Sequence, residues 1–139
     1  MSSTPAPPSR PIHLTKSTSL HPPNSNLQTP GMERREAITN LSPSLCATRM
    51  CAAPHSASAV HHHGAQDTIV YAVSGRGGAL VSEGGRERVE LEPGDWALIP
   101  AFKEHQEVND GDGEIVWNIV RSGGSPVVVN LAGWGGGEV

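Results

Sequence analysis

Residues 94–109 read GDWALIPAFKEHQEVN, and the fold follows from this stretch. Glu92-Pro93-Gly94-Asp95 is a turn by composition, with Gly free to take positive φ and Pro fixing its own. WALIP (96–100) and HQEVN (105–109) then read as two short strands around a second turn. Upstream, DTIVYAVSG (67–75) is β-branched, aromatic and closed by Gly75, the pattern of a strand ended by a turn. GALVSE and RERVELE flank Gly84-Gly85, a hairpin signal. Downstream come EIVWNIV and PVVVN, separated by Gly123-Gly124, while SLCATRMCA and SASAVHHH precede. No segment of ten residues carries a helical period. Many short strands at this spacing predict an all-β barrel or sandwich.

The 139 residues make about one domain. Residues 1–31 hold seven of the 12 Pro, ten Ser or Thr and no acid, so this stretch cannot bury enough apolar surface to order itself. It is read as a disordered tail, followed by a barrel over 32–134 and a flexible end at 135–139. The seven Pro argue against an amphipathic targeting helix, and no apolar segment resembles a secretion signal, so the expected location is cytoplasmic. No apolar run reaches the ~20 residues of a membrane helix. The net charge of −4 gives no footprint for nucleic acid. Cys46 and Cys51, five apart on one strand, face opposite sides and cannot bridge.

The chemistry concentrates in histidines. His61-His62-His63 is followed 42 residues later by His105. On a strand, i and i+2 share a face, so His61 and His63 point into a barrel together and His62 points out. Imidazoles converging in a dry lumen make a site for a divalent transition metal. Glu107 lies two past His105 and faces inward on a regular strand. A carboxylate buried there must be paired, hydrogen-bonded or ligating, so it is a fourth ligand, a partner to a His, or a general base. Three adjacent His also fit a polar surface run. SGRGG (74–78) looks like a phosphate loop, but no helix follows it, which leaves a turn. Trp96, Trp117 and Trp134 read as core or lid, and Tyr71 as barrel packing.

These residues resemble the cupin superfamily. Its second motif, G-x5-P-x-G-x2-H-x3-N, matches Gly94, Pro100, His105 and Asn109, with Phe102 at the remaining Gly. Its first, G-x5-H-x-H-x3,4-E-x6-G, matches His61, His63 and Gly75, with His55 at the first Gly. The Glu place falls on Thr68, or on Asp67 at the shorter spacing. The resemblance spans about residues 37–131. It implies a double-stranded β-helix (a jelly-roll barrel), often a homodimer, with one metal held by His61, His63 and His105. Asp67 is the candidate fourth ligand. A bulge bringing in Gln66, or a three-His site completed by water, are the alternatives. A three-His centre is similar to ferrous thiol dioxygenases of the superfamily, which favours Fe(II) over Zn, Ni or Mn. The chain is similar to small cupins of fungal polyketide gene clusters. This implies an oxidoreductase acting on a small organic molecule, with Glu107 as the catalytic base. A non-redox isomerase or cyclase, and a non-catalytic ligand-binding cupin, are the other readings.

Overall fold

The computed structural model describes residues 10–22 and 29–139. Eleven strands run in chain order among them: β1 (Met32–Ile38), β2 (Leu45–Ala52), β3 (Ser56–Ala57), β4 (His61–His62), β5 (Thr68–Ser74), β6 (Gly78–Ser82), β7 (Glu87–Leu91), β8 (Trp96–Ile99), β9 (Gln106–Asn109), β10 (Ile115–Ser122) and β11 (Val129–Asn130). The helical turns there are three residues each, Ser17–Ser19 and Glu83–Gly85. Every strand pair is antiparallel, in a five-stranded sheet β1-β2-β10-β5-β8, a four-stranded sheet β3-β9-β6-β7, and the short pair β11-β4.

Residue alternation sets which side chains meet inside. Across the larger sheet, the inward rungs read Met32–Ala52–Ile115, then Arg34–Met50–Trp117–Ala72, then Thr48–Ile119–Val70–Ala97, then Cys46–Arg121–Thr68–Ile99. One buried apolar cluster joins Met32, Met50, Trp117 and Ile119 of this sheet to Leu80 and Leu91 of the other, as the two faces of a double-stranded β-helix must. Along these rungs the lumen changes from wholly apolar to polar.

Turns carry the close approaches. Gly75 sits at φ +88°, and a Cβ there would lie 2.3 Å from the Glu114 carbonyl oxygen, so no other residue fits between β5 and β10. The two positions where the sequence departs from the motif glycines, His55 and Phe102, have φ of 55° and 60°. The fold still demands the left-handed conformation at both, and two bulky side chains accept the strain.

Short described segments near both ends of the chain lie against the barrel. Of the stretch expected to be disordered, 1–9 and 23–28 lie outside the described residues. Residues 10–22 run along β1: His21 N–H donates to the Glu36 carbonyl (3.1 Å), Thr15 Oγ1 to that of Ala37 (2.8 Å), and Arg10 to that of Leu41 (2.8 Å). Near the other end, Val139 N–H donates to Asn130 O and Gly135 N–H to Glu104 Oε1. Tyr71 packs outside the barrel, against Trp96, with ring centroids 4.4 Å apart.

Candidate metal centre

β4 and β9 bring the site together. His61 and His105 exchange both backbone hydrogen bonds, His61 N–H to His105 O (3.0 Å) and His105 N–H to His61 O (2.9 Å), so their side chains emerge side by side. His63 follows on the same face. His61, His63 and His105 are 1–2% exposed, and their ring centroids lie 4.4–5.0 Å apart. His62 turns away and accepts the Gly64 N–H on its Nδ1 (2.9 Å). Glu107, two past His105, is buried in the same lumen.

The three rings are held in one tautomer. His61 Nδ1–H donates to the Ala59 carbonyl, His63 Nδ1–H to that of Val127 and His105 Nδ1–H to that of Lys103, each at 2.8 Å. A backbone carbonyl can only accept, so Nδ1 carries the proton and each Nε2 presents a lone pair. All three Nε2 atoms are buried without a hydrogen-bond partner. Burial pushes the ring of His63 down to about 2, reinforced by the charge of Arg121, and burial pushes that of His105 down to about 4. Both rings are therefore neutral at pH 7. Three orphaned lone pairs in a sealed lumen would be costly unless an ion fills the space between them.

Glu107 completes the donor set. Its Oε2 lies 3.2 Å from His61 Nε2 and 3.1 Å from Arg34 Nη2, and its Oε1 is 3.9 Å from His105 Nε2. The His61 contact lacks hydrogen-bond alignment, as befits two lone pairs facing a common point. Two donors each ~2.1 Å from one ion, at roughly a right angle, stand ~3 Å apart. Burial pushes the Glu107 carboxyl up, but attraction to the neighbouring His61 and to the Arg34 guanidinium outweighs this and holds it well below the usual carboxylate range. The four donor atoms lie within 4.8 Å of one another, so the residues fit a single transition-metal ion.

The other candidates lie elsewhere. Asp67, the candidate fourth ligand, is exposed, and its Oδ1 accepts the Ala101 N–H (3.0 Å). Thr68 starts β5 facing inward, and alternation then turns its neighbour Asp67 out. Gln66 is occupied in holding the 125–127 segment, with Nε2 donating to Ser125 O (2.7 Å) and Oε1 accepting the Val127 N–H (2.9 Å). The carboxylate beside the histidines comes from β9, not β5. Two lumen arginines, Arg34 and Arg121, escaped the sequence reading. Arg121 was legible in EIVWNIVRS, where Ile115, Trp117, Ile119 and Arg121 fall on one face. Asn109 fastens the end of β9, its amide donating to the carbonyls of Ala52, Ala53 and Gly113.

A cavity of about 310 Å³ opens at the free edge between the two sheets. Leu80 and Ile99 line its buried side, the exposed Val89, Trp96 and Leu98 line its solvent side, and His105 is among its walls. It leads from solvent to the donor cluster.

The comparisons with known proteins agree with this architecture. Residues 48–121, more than half of the chain, match the family described as a cupin domain. The chain belongs to the cupin family. It is 33% identical over 91 residues to gentisate 1,2 dioxygenase 1 of Aquipseudomonas alcaligenes, a match covering 66% of this chain and 24% of that protein. The chain thus spans about a quarter of the length of this relative. Among solved structures, it resembles the polyketide cyclase RemF from Streptomyces resistomycificus with a TM-score of 0.69 at 19% identity, covering 86% of this chain and 84% of that one. It also resembles oxalate decarboxylase from Bacillus subtilis, with a TM-score of 0.64 at 19% identity over 76% and 29% of the two chains. These structural likenesses are of fold. Among the described residues, no helix is long and apolar enough to cross a membrane.

Proposed function

We propose that this cupin is a metal-dependent oxidoreductase acting on a small organic molecule, with an Fe(II) dioxygenase type of activity, in secondary metabolism of the polyketide kind. The observation that carries the metal part is the set of three Nε2 lone pairs, buried and without partners, facing one carboxylate. His61, His63, His105 and Glu107 would hold the ion. Fe(II), when bound, would supply Lewis acidity and redox chemistry in a water-poor lumen. The oxidoreductase part is supported by the likeness to a dioxygenase over 91 residues.

The protein's own groups do the rest. The Ala59, Val127 and Lys103 carbonyls fix the imidazole planes. Arg34 keeps Glu107 anionic through Oε2, which leaves Oε1 as the oxygen able to take and return a proton. The cavity admits the substrate to His105, with Leu80 and Ile99 as its buried apolar contacts.

A non-redox isomerase or cyclase using Zn or Ni would employ the same donors, and it draws on the carboxylate's placement for proton transfer. Oxygen-electrode assays on chelator-treated protein separate the two. Uptake restored by Fe(II), and not by Zn(II) or Ni(II), with a panel of small phenols and ketones supports the oxidoreductase. Anaerobic turnover with Zn(II) or Ni(II) contradicts it.

A further inference from the structure

Subtracting the three imidazoles leaves other orphaned polar atoms at the same end of the lumen. Arg121 is 2% exposed, and its Nε and Nη2 have no hydrogen-bond partner. Thr68 is 1% exposed, and its Oγ1 has none either. The two residues are direct partners across β10 and β5, both facing inward. Ile99, in the wall of the apolar cavity, is the next residue on that rung. A line of three neighbouring strands thus runs from cavity wall to hydroxyl to guanidinium.

The other cations near this space are committed. Lys103, at the cavity, donates to Glu83 Oε1 (2.5 Å), and Arg34 holds Glu107. Arg121 has a like charge in Arg34 nearby, and Glu107 is its one attractive carboxylate. Burial lowers the Arg121 guanidinium to about 10, so it is still charged at pH 7. A buried, charged donor with nothing to donate to is expensive, and proteins keep such groups where a ligand supplies the missing acceptor. The atoms left over are informative in themselves. Nε–H and Nη2–H form one edge of the guanidinium, and two parallel donors along that edge match the two oxygens of a carboxylate.

We propose that Arg121 and Thr68 form the receptor for a carboxylate on the substrate, whose apolar body occupies the inner part of the cavity, against Leu80, Ile99 and His105. This names a substrate class, small apolar or aromatic carboxylic acids, for the site proposed above. It rests on that reading only in placing the acid in the same lumen.

The probes are benzoate and its neutral isostere benzamide, titrated calorimetrically into chelator-treated and metal-loaded protein. Benzoate is expected to bind at least tenfold more tightly than benzamide. Arg121→Lys keeps the charge but removes the fork, so it should lower benzoate affinity at least tenfold and leave benzamide binding and metal content unchanged. Thr68→Val should lower benzoate affinity about threefold, and it decides the matter if Arg121→Lys does not fold. No benzoate binding, equal binding of the two probes, or an Arg121→Lys or a folded Thr68→Val protein that keeps the benzoate preference would overturn the proposal. Inorganic phosphate binding as tightly as benzoate would overturn the choice of a carboxylate. If the protein takes up no metal yet shows the Arg121-dependent preference, the receptor stands and the metal-centre reading fails. If it binds metal but not benzoate, the receptor alone fails.

Discussion

The two ends of the barrel lumen differ in what they bury. At one end Met32, Met50, Ala52, Ile115 and Trp117 fill the space with apolar side chains, all at most 1% exposed. At the other, Arg121 and Thr68 lie on the fourth rung of the same sheet, and the histidines, brought in by β4 and the start of β9, are equally buried but polar. One end gains free energy from burial. The other spends it, holding donors and acceptors without protein partners, which is worthwhile only for what they bind. β10 runs through both ends, and along it only the residue type at each inward position changes, from Ile115 and Trp117 to Arg121.

The sharpest way to break this comparison is to truncate each end in turn. Trp117→Ala should cost about 3–5 kcal/mol of unfolding free energy by denaturant titration, because a large cavity opens in a closed core. It should leave metal affinity of the folded fraction unchanged. His105→Ala should do the reverse, with metal binding lost and the stability of the metal-free protein little altered. Equal effects of the two on metal uptake would show that the ends are not separate.

Arg34→Met probes the seam between them. It removes the cation from a buried pair and strands the Glu107 carboxylate, which should cost about 3 kcal/mol at pH 7 in metal-free protein. A bound cation would replace the lost charge, so metal should restore part of that loss. Unchanged stability would mean Glu107 is neutral, contrary to the charge balance described here.

Acid should find the polar end first. The folded-state values of His63 and His105 lie below the ordinary 6.5, at about 2 and about 4. The unfolded chain therefore takes up protons first as the pH falls below 6.5. Each ring then costs about 1.4 kcal/mol of stability per pH unit until its folded value is reached. Glu107, depressed in the fold, adds to the loss below its ordinary value of 4.5. Melting temperature of the metal-free protein should thus fall steadily from pH 6.5 to 4, and a flat profile would contradict neutral buried rings.

Much of this was readable beforehand, for specific reasons. Strand alternation is a strict period, so His61 and His63 inward, His62 outward and Glu107 beside His105 could all be derived from i, i+2 arithmetic. Gly94 shapes the turn before β8, Pro100 the turn before His105, and Asn109 fastens the end of β9, and turn chemistry leaves a plain trace in sequence. The carboxylate's strand was harder. Scanning forward from His63 leads to Asp67, which alternation turns out and the Ala101 N–H captures. Glu107, on β9, is the carboxylate that lies beside the histidines, and spacing from His105 gave its direction but not which of the two carboxylates would meet them. The lumen arginines went unread because a charged residue in a strand is ordinarily on its solvent face. The path of residues 10–22 along β1 rests on hydrogen bonds to backbone carbonyls of and beyond β1, which composition does not encode. The smallest expected effect also comes from the motif. His55 occupies a glycine position at φ 55°, so His55→Gly should raise stability by about 1 kcal/mol through relief of strain.

Elemental analysis of purified protein, comparing His62→Ala with His63→Ala, tests the central claim most directly. One transition-metal ion per chain is expected in the wild type, with retention in His62→Ala and loss in His63→Ala. Retention of the ion in His63→Ala, or its loss in His62→Ala, would contradict it.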